Sequence, residues 1–264
     1  MRKLLLLVAL ILALLLAKAP AAIVDGLLAH FTDGALRLQQ AEGSLWHGRG
    51  ILASRDAGGR SLTPWLPLAW DFDTAALARL AVGWSFSSSG SPLGSVEAGP
   101  GGLAVAQLAL HAPANAALSP LPHAAARAGW QGDLTLEAPR WQCPRSGRCS
   151  GEARLLWRGA RAALFPGRQF GDYEIRIAAD AGNLSYTLQT LSGAVVANGQ
   201  GLAPFGQMPR FDGTLSGDPE FLGRLPAIAG GSGVLLAASD GGGAMRARPL
   251  TTGATGGGWL PGPA

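Results

Sequence analysis

The sequence predicts an all-β protein, a curved antiparallel sheet or sandwich that follows an N-terminal membrane helix and is open to a plan of two similar halves. Three observations carry this expectation. Gly occurs 39 times and Pro 18 times, and only 14% of residues are charged. That composition suits many short strands joined by turns, because Gly and Pro interrupt almost every stretch long enough for a helix. Most of the chain repeats with a period of two, and turn-forming residues separate the repeats.

The first segment is of a different kind. Arg2-Lys3 precedes an unbroken apolar run from Leu4 to Ala17, interrupted only by Lys18 and Pro20 before Ala21–Val24. Positive charges ahead of an apolar run hold the N-terminus in the cytoplasm and send the following chain across the inner membrane. Residues from about Asp25 onward are therefore expected in the periplasm. The cleavage sites are poor, since Pro20 follows or interrupts the small-residue motifs. Counted to Val24 the segment approaches the ~20 residues that span a bilayer, and Lys18 can reach the outer interface. A retained signal anchor over 1–24 is the expectation, with cleavage as the alternative.

Pro20 opens a helix expected to continue to about Phe31 and to stop near Gly34. The period then changes to two. Leu36 and Leu38 alternate with Arg37 and Gln39; Leu134 and Leu136 flank Thr135. Ala153, Leu155 and Trp157 alternate with Glu152, Arg154 and Arg158. Tyr173, Ile175 and Ile177 alternate with Glu174 and Arg176, and Leu184, Tyr186 and Leu188 with Ser185, Thr187 and Gln189. Weaker strands are expected at 44–53, 103–111, 194–200, 210–216 and 233–239. Short helical turns are expected from Asp73 or Thr74 to Leu80 and from Asp218-Pro219 to Leu225. Residues 115–127 read as a connector. The body is taken as 25–240, and 241–264 as a Gly/Pro-rich disordered tail.

Gly43-Ser44-Leu45-Trp46-His47-Gly48 is echoed by Arg154-Leu155-Leu156-Trp157-Arg158-Gly159. Each is an apolar-Trp-x-Gly element on a strand, which is the reason to expect two related halves. Both tryptophans are also explained as core residues whose indole N–H finds a partner at a strand end.

Charge excludes one class of partner. The chain has an isoelectric point near 9.7. Three of its basic residues, Arg2, Lys3 and Lys18, belong to the export segment, leaving 18 basic against 17 acidic residues beyond it. The remaining arginines are scattered, so the footprint of nucleic-acid binding is missing. The histidines, at 30, 47, 111 and 123, have no metal-ligand spacing, and no nucleophile elbow, Walker loop or dinucleotide fingerprint occurs. Asp71 and Asp73 read as solvated residues leading into a helix cap, and His47 as a surface or turn histidine. No catalytic, metal or cofactor residue is assigned, and the chain is expected not to be an enzyme. The cysteines, Cys143 and Cys149, flank a Pro/Gly turn. In an oxidising compartment a local structural disulfide is the simplest reading; a redox or metal site and free thiols are the alternatives.

The order of these features resembles the N component of the bacterial type II secretion system, a general secretion pathway protein family. The resemblance runs from the export segment through Gly43, Leu45, Trp46 and Gly48, then Leu62-Thr63-Pro64-Trp65 to Trp70-Asp71-Phe72 with its short helix. It continues through Gly132–Leu136, the cysteine pair, Gly151–Gly159 and Gly171-Asp172-Tyr173. It covers roughly 1–240; Gly241–Ala264 match nothing in the family. It implies a single-pass inner-membrane protein with a periplasmic β-rich domain. That protein is an accessory to moving folded proteins across the outer membrane, in contact with other secretion components of the inner-membrane platform or the secretin. It carries over no catalytic residues. A second reading comes from the residues themselves: a periplasmic β-groove that binds lipid or another apolar ligand, since Trp46, Trp65, Trp70, Trp84, Trp130, Trp141 and Trp157 are spread through an apolar body.

Overall fold

In the computed structural model the described residues are 17–56, 59–119, 128–204, 210–217, 222, 234–238 and 244–249. Fourteen strands form one antiparallel sheet: β1 (Leu36–Gly43), β2 (His47–Arg55), β3 (Leu62–Phe72), β4 (Val82–Ser88), β5 (Ser91–Gly99), β6 (Gly102–Pro113), β7 (Trp130–Cys143), β8 (Ser150–Ala162), β9 (Gly171–Asp180), β10 (Asn183–Gly193), β11 (Val196–Pro204), β12 (Arg210–Ser216), β13 (Val234–Ala238) and β14 (Ala244–Pro249). The spatial order follows the chain from β1 to β12 and ends β14, β13. The all-β antiparallel expectation holds, in its single-sheet form rather than as a sandwich. The ends of the sheet do not pair with each other, so it is open.

The sheet is bent. Parts of β3 and β6 come into contact although two strands lie between them. In a flat sheet they would stand about 14 Å apart. A one-turn helix, α2 (Ala114–Ala117), follows β6 and touches β2, β3, β6 and β7. Its small Ala114 and Ala116 are buried in that contact.

The N-terminal helix, α1 (Ala22–Phe31), begins two residues later than expected. Pro20 is taken up by a bridge to Ser44, and the Ala21 N–H donates to the Gly43 carbonyl. Asp25 ties α1 to β1: its carboxylate accepts from Arg37 Nε and Nη2 at 2.9 and 2.6 Å and from the Leu38 N–H at 2.7 Å. The Arg37 guanidinium is the main reason the Asp25 carboxyl is held below its usual range. Among the described residues no helix is long and apolar enough to cross a membrane. The expected membrane segment falls mostly on residues 1–16, outside the described residues.

The expected short helix after Asp73 is a 3-10 helix over Thr74–Arg79, with the Asp73 carboxylate accepting from the Ala75 N–H at 2.9 Å. The helix expected after Asp218 lies outside the described residues apart from Leu222. Four strands were not among those expected: β3, whose residues entered only through the family resemblance, and β4, β5 and β14. β4 and β5 lie in a Ser/Gly-rich stretch, yet Val82, Trp84 and Phe86 alternate there with Gly83, Ser85 and Ser87. Their hairpin turns on Ser89-Gly90, both with positive φ, the two-residue geometry that matches the twist of paired strands. β14 corrects the expected tail: Ala244–Pro249 pair with both β12 and β13. Residues 250–264 lie outside the described residues.

Fully buried side chains gather at two places. One cluster joins Ala21, Leu38 and Trp70 beneath α1, with Val24, Leu28, Trp84 and Phe86 packed on it. The other joins Phe165, Phe170, Tyr173, Val195 and Leu222 around Trp130 and Trp157.

Candidate interaction surface

The Gly43–Gly48 element closes the β1–β2 hairpin and anchors three other parts of the chain to it, the segment at Ala19, β3 and β4. Ser44 Oγ accepts from the N–H groups of Trp46 and His47 at 3.2 and 3.1 Å, which holds the turn. The Ser44 and Leu45 carbonyls accept the indole N–H groups of Trp70 and Trp84, each at 3.1 Å. The Leu45 N–H donates to the Ala19 carbonyl at 2.8 Å, and the Phe72 N–H to the Trp46 carbonyl at 2.8 Å. Gly43 and Gly48 face each other across the strands, and a Cβ on Gly43 would lie 2.9 Å from the Gly48 Cα. Trp46 stacks on Trp84 at 6.3 Å and meets Phe72 edge-on at 4.9 Å. His47 pairs with Asp71 at 3.0 Å on the exposed side of the same strands.

The echo between the two tryptophan elements takes a different form from the one expected. Trp46 sits in the turn, whereas Trp157 lies within β8. The counterpart of Trp157 is Trp70. Each lies over a glycine of the preceding strand, Gly132 and Gly48 respectively. Each donates its indole N–H to a carbonyl at 3.1 Å, that of Gln131 in one case and Ser44 in the other. One tryptophan-over-glycine pair belongs to each buried cluster. The surrounding sequence hides this because glycine and tryptophan are far apart in the chain.

Register divides the sheet into two unlike faces. On one, apolar positions line up from strand to strand. Phe72 pairs with Trp84, Trp84 with Val96, Val96 with Val105 and Val105 with Trp141. The row continues through Gly151 and Ala179 to Leu184 and Ala203. A parallel row runs through Leu110, Leu136, Leu155, Ile175 and Leu188 to Gly199 and Gly213. Outside the two buried clusters the large side chains of these rows are only half buried. Val82 and Leu103, on the row beyond, are 39% and 46% exposed.

The other face is polar. Glu137, Arg154, Arg176, Thr187, Gln200 and Asp212 form one of its rows. At its centre Glu174 is 2% exposed and paired with two arginines: Arg154 Nη2 donates to it at 2.7 Å, and Arg176 Nε donates to its other oxygen. The Arg154 hydrogen bond, above all, holds the Glu174 carboxyl below its usual range against the opposing effect of burial. A shallow hollow of about 850 Å³ crosses this face, lined by Glu174, Arg176, Gln189, Asn198, Gln200 and Asp212.

Cys143 and Cys149 form a disulfide that closes the β7–β8 turn. Among the described residues, no group of three or more His, Cys, Asp and Glu side chains is placed to hold a metal ion.

No curated protein matches this sequence, and no solved structure does either. The sequence model of one family, described as type II secretion system (T2SS), protein N, matches residues 34–229. That span begins just before β1 and takes in every strand to β12, so the match and the continuous part of the sheet coincide. This chain belongs to the type II secretion system protein N family.

Proposed function

We propose that this type II secretion component is an accessory subunit, anchored in the inner membrane by the apolar segment Leu4–Ala17, whose β-sheet body, which begins by Ala19 rather than at Asp25, works in the periplasm in the export of proteins across the outer membrane. The family match over 34–229 carries the reading. The export segment supports the location, with charges ahead of an apolar run that favour a tethered, outward-facing body. The Cys143–Cys149 disulfide fits an oxidising compartment. The short path from Ala19 to the Leu45 N–H fits as well, because it would hold the sheet directly against the membrane surface rather than on a long linker. The role is one of contact, with the inner-membrane platform or the secretin as partners, and no bond is made or broken by the subunit.

Two measurements test it. Deletion of the gene is expected to lower release of secreted proteins into the medium, and a reporter fused after residue 217 is expected to be active only in the periplasm and to remain with carbonate-washed membranes. Normal release, together with an absence of crosslinks from the body to any secretion component, would sink the proposal.

A further inference from the structure

We infer that the apolar face of the sheet is a binding surface for the acyl chains of a membrane phospholipid. The face is continuous across nine strands from Phe72 to Ala203. At about 4.8 Å between strands it extends roughly 38 Å, well beyond the about 15 Å depth of one leaflet's hydrocarbon. Its middle is only partly buried, and Val82 and Leu103 at one border are 39% and 46% exposed. An apolar area of this extent is not the ordinary surface of a soluble domain.

Backbone chemistry excludes an extended peptide as the occupant. Each of β5 to β10 is hydrogen-bonded to a strand on both sides, so this face offers a peptide no ladder partner. An extended segment laid along it would leave its own N–H and C=O groups unpaired, whereas a helix satisfies its own, as α1 does over Trp70 and Trp84. An acyl chain has none to satisfy. Glycines also keep the floor low. Gly151 lets Trp141 lie close to the neighbouring backbone, since a Cβ there would come within 3.1 Å of the ring. Gly199, Gly201 and Gly213 fall on the same face in β11 and β12. The result is a low apolar strip at right angles to the strands.

The position of the apolar strip supports a lipid source. The described chain emerges from the apolar segment at Ala17, and two residues later Ala19 is bonded to Leu45, beside Trp46, Phe72 and Trp84. Aromatic groups of this kind settle at membrane interfaces, and Phe72 and Trp84 stand at one end of the apolar strip. Access to the bilayer rests on the anchored reading of the proposed function; the binding itself does not.

The test uses the full chain with vesicles of phosphatidylethanolamine and phosphatidylglycerol that contain a phospholipid bearing a photoactivatable diazirine in one acyl chain. Labelling is expected on the apolar-face residues of β5 to β10, Val105, Trp141, Ile177 and Tyr186 among them. Leu103→Arg and Ile177→Arg are each expected to lower it at least fivefold, while Leu202→Arg, on the polar face and already 55% exposed, leaves it unchanged. Should Ile177→Arg fail to fold, Leu103→Arg at the exposed border carries the comparison. Labelling confined to residues 1–31, or falling equally on the polar face, overturns the inference. Leu222 already packs beside Trp157 and Tyr173 at one end of the face; crosslinks that place a second copy or residues 223–233 over Val96, Val105 and Trp141 overturn it too. Lipid labelling with normal protein release would count against the secretion role alone; reduced release without labelling would count against this inference alone.

Discussion

Trp70 lies over Gly48 of the neighbouring strand so closely that a Cβ on the glycine would sit 2.8 Å from ring carbon Cε2 and 2.7 Å from the Glu42 carbonyl oxygen. Neither neighbour is free to give way: the ring is 2% exposed and its N–H is bonded to Ser44, and the other is backbone. Gly48→Ala is therefore expected to destabilise the fold by about 1–3 kcal/mol, as overpacking does. Gly26→Ala, in α1 with no atom nearby, is expected to do the opposite, gaining about 0.5–1 kcal/mol from better helix propensity. Denaturant unfolding of the two variants beside the parent checks the pair; equal effects would show that the glycine contact is not a constraint.

The two tyrosines of the chain are both expected to ionise late. Burial pushes Tyr173 up to about 12, with Asp172 adding to the shift, and its hydroxyl donates to the Val195 carbonyl at 2.8 Å. Burial also raises Tyr186. A group whose folded pKa lies above its unfolded value of ~10 supports the fold fully below that value and loses its contribution as pH rises toward 12. Absorbance titration of the phenolates should show no tyrosine ionising near its ordinary value while the protein is folded. An ordinary titration in intact protein would contradict the burial of Tyr173. Tyr173→Phe, which leaves the Val195 carbonyl unpaired, should cost about 1–3 kcal/mol.

The disulfide between Cys143 and Cys149 closes a short loop. In the chain-entropy account such a loop contributes about 2 kcal/mol. Replacing both cysteines by serine is expected to remove that amount while leaving the sheet intact, with faster hydrogen exchange confined to the β7–β8 turn. Global loss of protection would assign the bridge a larger role.

Ala181 holds φ at 48° in the β9–β10 turn beside Gly182, also positive. A left-handed conformation costs a residue with a Cβ roughly 1–2 kcal/mol, less for asparagine. Ala181→Asn is expected to raise stability by about 0.5–1 kcal/mol, read from the midpoint of thermal or urea unfolding; a neutral or destabilising result would argue against that turn geometry.

Much of the sheet is legible in the sequence because one face is apolar and the other wet. Leu134 to Leu136, Ala153 to Trp157 and Tyr173 to Ile177 announce their strands by alternation alone. β4 is less visible, since Ser85, Ser87 and Ser88 read as a linker unless Val82, Trp84 and Phe86 are taken together. β14 is short and flanked by glycines, which reads as a tail. What no strand announces by itself is which residues share a row. Register depends on irregularities such as those between Gln39 and Glu42 and between Glu137 and Arg140, and each displaces pairing in a way that local pattern does not record. The continuous apolar face therefore appears only once the strands are paired, and so does the kinship of Trp157 with Trp70 rather than Trp46.

From β1 to β12 each strand is bonded to the strands before and after it in the chain. No early segment waits for a late one. A polypeptide arriving end first, from a ribosome or through a narrow channel, could add each hairpin to an already formed edge, closing only short loops as it goes. The growing edge is the one place where unpaired backbone is exposed, and it moves along the molecule as synthesis or passage proceeds. Such an order of assembly resembles the winding of a ribbon, in which an interruption leaves the completed portion intact.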